Sequence, residues 1–168
     1  MKYKKLWTDM HSNIHHDQME ALPLWYEQIK KEMDFWPIAY YPFYMRPTSS
    51  GLAVEDRYED ELIEKDWEQV RQLALQAEKE GFPMFMGYEW QGAGLDGDHN
   101  VFFLENGEKQ EHPMRYQKLV EAYKGKPVIG IPHHVAYQLG SRGKNWETHD
   151  EKFSPFAEIY SSHGCSEN

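Results

Sequence analysis

The residues of this 168-residue chain that could do chemistry are its nine histidines and the carboxylates beside them. His133 and His134 stand side by side in IPHHVAY, immediately after the apolar run Val128, Ile129, Gly130, Ile131. His11, His15 and His16 follow KLWTDM, Asp98 and His99 open DHNVFF, and Glu89 sits in MFMGYEW. A single loop histidine is ordinarily solvated or bonded to backbone, so none of these alone marks a site. Glu89 differs, because a carboxylate in an apolar strand is costly to bury unless a metal or an Arg or Lys compensates it. The only cysteine, Cys165, leaves no internal disulfide and no thiolate cage. Imidazoles and carboxylates without thiolate suit a divalent Zn, Mn or Fe ion, and a clustered set activates a water for hydrolysis.

The elements that must position these residues read as alternating strands and helices, an α/β pattern. KLWTDM is a predicted first strand, and Leu22, Trp25, Tyr26, Ile29 and Met33 recur at helical spacing from near Pro23. FWPIAYY is a second strand, followed by a polar loop through RPTSSGLAVEDRYED. Ile63, Trp67, Val70, Ala74 and Ala77 then step by threes and fours until Gly81, the clearest helix in the chain. FPMFMGYEW, NVFFL and KPVIGI give three more strands, with a helix around Leu119, Val120 and Tyr123, and FAEIYSS gives a sixth. In a parallel α/β barrel the ends of such strands converge on one face. His99 precedes its strand, so it joins the others only if that strand runs antiparallel or its loop folds back.

Composition narrows the classes. A net charge of −10 repels phosphate backbones and acidic membranes, which argues against nucleic acid as a partner. No apolar run is long enough to span a bilayer, and no h-region follows the basic N-terminus, so a cytoplasmic protein without a membrane partner is expected. The length suits one domain over residues 1–168. The aromatic content could stack sugars through Trp7, Trp36, Trp90 and Trp146, but aromatic spacing alone does not support a carbohydrate-binding module.

Taken in order, DMHSNIHH, GYEW, GDHNVFF, IPHH and EIYSSHG resemble the PHP superfamily (polymerase and histidinol phosphatase), in its branch assigned as a domain of unknown function. The resemblance spans nearly the whole chain and lies in the ordered set, since no one motif is strong. It implies a distorted seven-stranded (β/α) barrel that holds up to three divalent metals and hydrolyses phosphoesters. By position, His11 matches the first histidine of His-x-His, Glu89 the metal-bridging glutamate, His99 the histidine after it, and His133 the one following the aliphatic strand. His134 falls where many relatives have proline and is the candidate for contacting substrate, although either of the paired histidines could be the ligand. Asn13 stands at the second position of His-x-His, where His15 could substitute. Tyr40, Tyr41 and Pro42 replace the Asp-His at the end of the second strand. No closing Asp-x-His precedes Asn168, and His163 in SSHGCSE does not fit that pattern.

The resemblance therefore implies a PHP-like barrel of about six of seven strands, truncated before the last metal motif. Its metal site would comprise His11, His15, Glu89, His99 and His133, with metal number open. Hydrolysis of a phosphoester or similar ester in a small-molecule substrate would have Glu89 bridging and His134 or Tyr40 orienting the leaving group. The rival is a non-catalytic or degenerate fragment that keeps the fold and part of the metal binding. An open barrel edge would call for a second copy or a downstream chain to complete it.

Overall fold

The computed structural model describes residues 3–92, 94–161 and 163–166, and the chain divides into two units, Met1–Met86 and Gly87–Asn168. In the first, β1 (Ser12–His15) leads through a 3-10 turn over His16–Ala21 into α1 (Leu22–Glu32), with Pro23 in its first turn. The chain returns as β2 (Trp36–Tyr41), parallel to β1 with Ile14 opposite Tyr40. Every β2 residue but Tyr41 is buried.

RPTSSGLAVEDRYED is not the loop expected from its polarity. Most of it forms an antiparallel hairpin of β3 (Phe43–Pro47) and β4 (Ala53–Arg57). The turn between them is built by Thr48, whose N–H donates to the Leu52 carbonyl at 2.8 Å, and by Gly51 at φ 79°. Next comes α2 (Asp60–Glu80), which buries Ile63, Trp67, Val70, Leu73, Ala74 and Ala77 and also Asp66. It ends at Gly81 in the left-handed region, where Phe82 N–H returns to the Ala77 carbonyl at 2.9 Å. A short β5 (Met84–Phe85) then pairs in parallel with β2.

The second unit is built differently. β6 (Gly87–Trp90), β7 (His99–Phe103) and β8 (Val128–Pro132) form an antiparallel ladder, and every residue of β6 and β7 is buried. Between β7 and β8 lies α3 (Tyr116–Ala122); further on come a 3-10 turn at Trp146–Thr148 and a two-residue hairpin of β9 (Tyr160–Ser161) and β10 (Gly164–Cys165).

This architecture corrects the expected PHP-like (β/α) barrel. The chain is mixed α/β with three α-helices among the described residues, and its described strands close no barrel. The reason lies in the connections. Among the described residues no helix separates β6 from β7, and the two strands pair antiparallel, whereas parallel neighbours require a crossover. The connection containing α3 is not a crossover either: it leaves and re-enters at one edge, with Phe103 opposite Val128 and Leu104 N–H on the Pro127 carbonyl at 2.9 Å. A count of about six of seven barrel strands therefore has no counterpart, and the idea of a second chain completing the barrel loses its ground.

Two predicted strands also shift. KLWTDM forms no strand; it is tied instead to residues 34 and 35, with Trp7 N–H on the Asp34 carboxylate at 2.9 Å and the Thr8 hydroxyl donating to the Phe35 carbonyl. Among the described residues of FAEIYSS only Tyr160 and Ser161 form a strand, and Phe156, Ile159 and Tyr160 are exposed. Among the described residues no helix is long and apolar enough to cross a membrane.

Candidate metal centre

The antiparallel ladder decides which side chains meet. Because β7 runs against both neighbours, His99 at its start lies opposite Trp90 at the end of β6 and opposite Pro132 at the end of β8. Residues just before β7 and just after β8 are thus gathered at one end of the sheet. Asp98 and His133 are joined there directly, the His133 N–H donating to the Asp98 carbonyl at 3.1 Å.

Their side chains converge as well. One ligand atom from each of Asp98, His133 and His134 lies within 4.8 Å of the other two, and all three residues are buried. Glu89 projects from β6 into the same neighbourhood: it is 3 % exposed and its Oε1 is 3.5 Å from His133 Nε2. The His133 and His134 rings stand nearly perpendicular, with centroids 4.5 Å apart. His134 adopts φ 56°, the left-handed region that a β-carbon disfavours, so its neighbours must hold it there. Burial, then the adjacent His133, lowers the His134 pKa to about 4, leaving a neutral imidazole with a lone pair at neutral pH. Arg142 places a guanidinium nitrogen 3.5 Å from the Asp98 carboxylate.

His99 is fully buried but belongs to no group of three ligand atoms gathered within 4.8 Å among the described residues. Its Nδ1–H donates to the Gly97 carbonyl at 3.3 Å and its ring stacks on Tyr116 at 4.8 Å, while Nε2 has no hydrogen-bond partner among the described residues. Burial, followed by Lys144 and His133, holds its pKa well below the usual imidazole value. Lys144 itself is buried, with its ammonium 3.3 Å from the Tyr116 ring centroid.

The remaining sequence candidates belong to the first unit. His11 precedes β1, half-buried, with its N–H on the Asp9 carboxylate at 2.8 Å. His15 ends β1 with its ring against Tyr41, centroids 4.6 Å apart, and its N–H on Gln18 Oε1. Tyr40, fully buried in β2, donates its hydroxyl to Asp66 Oδ2 at 2.8 Å, and His16 Nδ1 lies 2.8 Å from the same oxygen. Burial, then the hydrogen bond to Asp66, pushes the Tyr40 pKa above the usual phenol value, so the hydroxyl keeps its proton.

Two of these acids carried sequence signals that composition hides. Asp66 is three residues beyond Ile63 and four before Val70, on the apolar face of α2, where a carboxylate calls for a reason. Asp98 is adjacent to His99, and its importance follows only from the antiparallel direction of β7. Comparison of the chain with family models, curated proteins and solved structures returns no match.

Proposed function

We propose that the second unit holds a divalent metal on Asp98, His133 and His134, with Glu89 beside His133, and that the chain is a metal-dependent hydrolase of a phosphoester or similar ester. The observation that carries this reading is the convergence of one carboxylate and two imidazoles, all buried, within 4.8 Å. Two imidazoles and a carboxylate match the donor preference of Zn, Mn or Fe. Such an ion, when bound, lowers the pKa of a water and polarises the bond to be cleaved.

The chain's own residues supply the rest. His134 is neutral without competition from protons at pH 7, and the His133–Asp98 backbone bond fixes the spacing of two ligands before any ion arrives. Arg142 brings a cationic group beside the centre that suits an anionic substrate. The ordered PHP-like motifs agree with phosphoester chemistry, but the barrel is no part of this proposal.

A second reading is favoured by that same Arg142, because a guanidinium 3.5 Å from Asp98 can serve as its counter-charge in a protein that binds no metal and catalyses nothing. Elemental analysis after purification in Zn- or Mn-containing buffer separates the two, followed by p-nitrophenyl phosphate turnover. The hydrolase reading expects one or more ions per chain, lost in Asp98→Asn and His133→Ala. Absence of stoichiometric metal from the folded wild-type chain overturns it.

A further inference from the structure

We infer that His163 is a further ligand of that ion, delivered by the β9–β10 hairpin, and that Tyr137 is the positioning residue for its ring. The inference rests on the assignment of Asp98, His133 and His134 as metal ligands. His163 lies in the turn between β9 and β10, and its ring centroid is 4.2 Å from that of His134, inclined at 60°. Two imidazoles on one tetrahedral ion have centroids about 5 Å apart. Among the described residues His163 as placed joins no group of three ligand atoms within 4.8 Å, so its ring must swing outward from His134 to ligate. A small cavity of about 10 Å³, the room one water needs, is bounded by His134, Tyr137, Glu158, Ser161 and His163 and leaves the inner side of the ring unfilled.

Tyr137 sets the ring's orientation. Its hydroxyl is 3.1 Å from His163 Nδ1, and its own N–H donates to the His134 carbonyl at 3.0 Å. The contacts close a circuit: the left-handed His134 opens a turn, the turn places Tyr137, Tyr137 engages His163 Nδ1, and the His163 ring returns to His134. A hydrogen bond at Nδ1 fixes the ring and leaves Nε2 to face a metal, the arrangement found around metal-bound histidines. The geometry also explains a histidine at the tip of an exposed two-residue hairpin, where packing demands none.

The test titrates the full chain with cobalt(II) alone, following its visible absorption, for wild type, His163→Ala, His163→Asp and Tyr137→Phe, with circular dichroism to verify folding. Loss of one ligand is expected to weaken cobalt binding on the order of 100-fold in His163→Ala and to alter the absorption band. His163→Asp, which restores a donor atom, should recover most of the affinity, and Tyr137→Phe should lose roughly 10-fold. Wild-type affinity and spectrum in His163→Ala overturn the inference while leaving the three-ligand centre standing. No cobalt binding by the wild-type chain overturns the centre and this ligand together. Should His163→Ala misfold, wild-type binding by folded His163→Phe would refute the ligand role and a loss matching the missing donor would uphold it.

Discussion

The N–H of His133 donates to the carbonyl of Asp98 at 3.1 Å, so two of the three converging ligand residues are tied through backbone before their side chains meet. The bond continues the β7–β8 pairing one residue past His99 and Pro132. The spacing of the candidate ligands is therefore a property of the ladder rather than of flexible loops, and a site fixed in this way needs little reorganisation to accept an ion.

Glu89 tests how far the centre extends. Glu89→Gln keeps the side-chain shape but removes the charge 3.5 Å from His133 Nε2. Metal affinity should fall about 10- to 100-fold with the fold retained, measured by competition with a metal-sensitive dye. His112→Ala, whose imidazole is instead engaged with Gln110, should leave the metal content unchanged. Equal loss in both variants would mean that metal binds adventitiously to surface histidines.

Tyr40 gives a contrasting expectation. With its hydroxyl donated to a buried Asp66, Tyr40→Phe removes one of the two groups seen on that carboxylate oxygen. Leaving a buried acceptor under-satisfied costs roughly 1–3 kcal/mol, and urea denaturation should show it. Metal content should not change, because the Tyr40 hydroxyl is committed to Asp66 and neither residue is among the proposed ligands. A loss of metal without a loss of stability would return Tyr40 to the chemistry.

Local pattern made some elements legible and tertiary pairing hid others. α2 was readable because Ile63, Trp67, Val70, Ala74 and Ala77 mark one face and Gly81 supplies the left-handed stop. β7 and β8 were readable as apolar runs. β1 was not: Ser12–His15 is polar and becomes a strand only by lying against β2, while the apolar KLWTDM, which looks more like a strand, is held by Asp34 and the Phe35 carbonyl. The β3–β4 hairpin is charged on its exposed face, with Arg46 paired to Asp56 at 2.8 Å, so its sequence resembles a loop. For the site, the histidines were visible as residue types, but strand direction is a long-range property. It admits Asp98 beside His133, and the equally long-range placement of the β9–β10 hairpin puts His163 against a histidine 29 positions earlier.

Gly130, in the middle of VIGI, shows a glycine required by close approach. A β-carbon there would lie 2.4 Å from Cε1 of the buried Phe153, whose own carbonyl accepts the Gly130 N–H at 2.8 Å. Gly130→Ala should destabilise the second unit by about 1–3 kcal/mol through overpacking. The double variant Gly130→Ala/Phe153→Leu, which removes the clashing ring, should be less destabilised than the sum of its single changes. Strict additivity in denaturation experiments would show that the two residues do not meet.

Lys144 makes stability depend on pH in a way that can be signed. Burial lowers its pKa from the usual 10.5 to about 8, and its ammonium has no hydrogen-bond partner among the described residues beyond its contact with the Tyr116 ring. Below pH 8 the folded chain carries a buried charge that the unfolded chain keeps in water. Between about pH 8 and 10 the folded form has released this proton while the unfolded form still holds it. The unfolded state then binds more protons, and stability rises with pH. The full shift corresponds to about 3 kcal/mol as an upper bound. Tyrosines act oppositely at higher pH: burial raises the pKa values of Tyr88 and Tyr123 above 10, so the unfolded chain loses those protons first and stability falls beyond pH 10. Denaturation of the wild-type chain should therefore show a stability maximum between pH 9 and 10. Lys144→Met, which keeps the buried stem without the charge, should be more stable at pH 7 and flat from pH 8 to 10, then fall as the wild type does. A rise of equal size in the variant would assign the effect to another group.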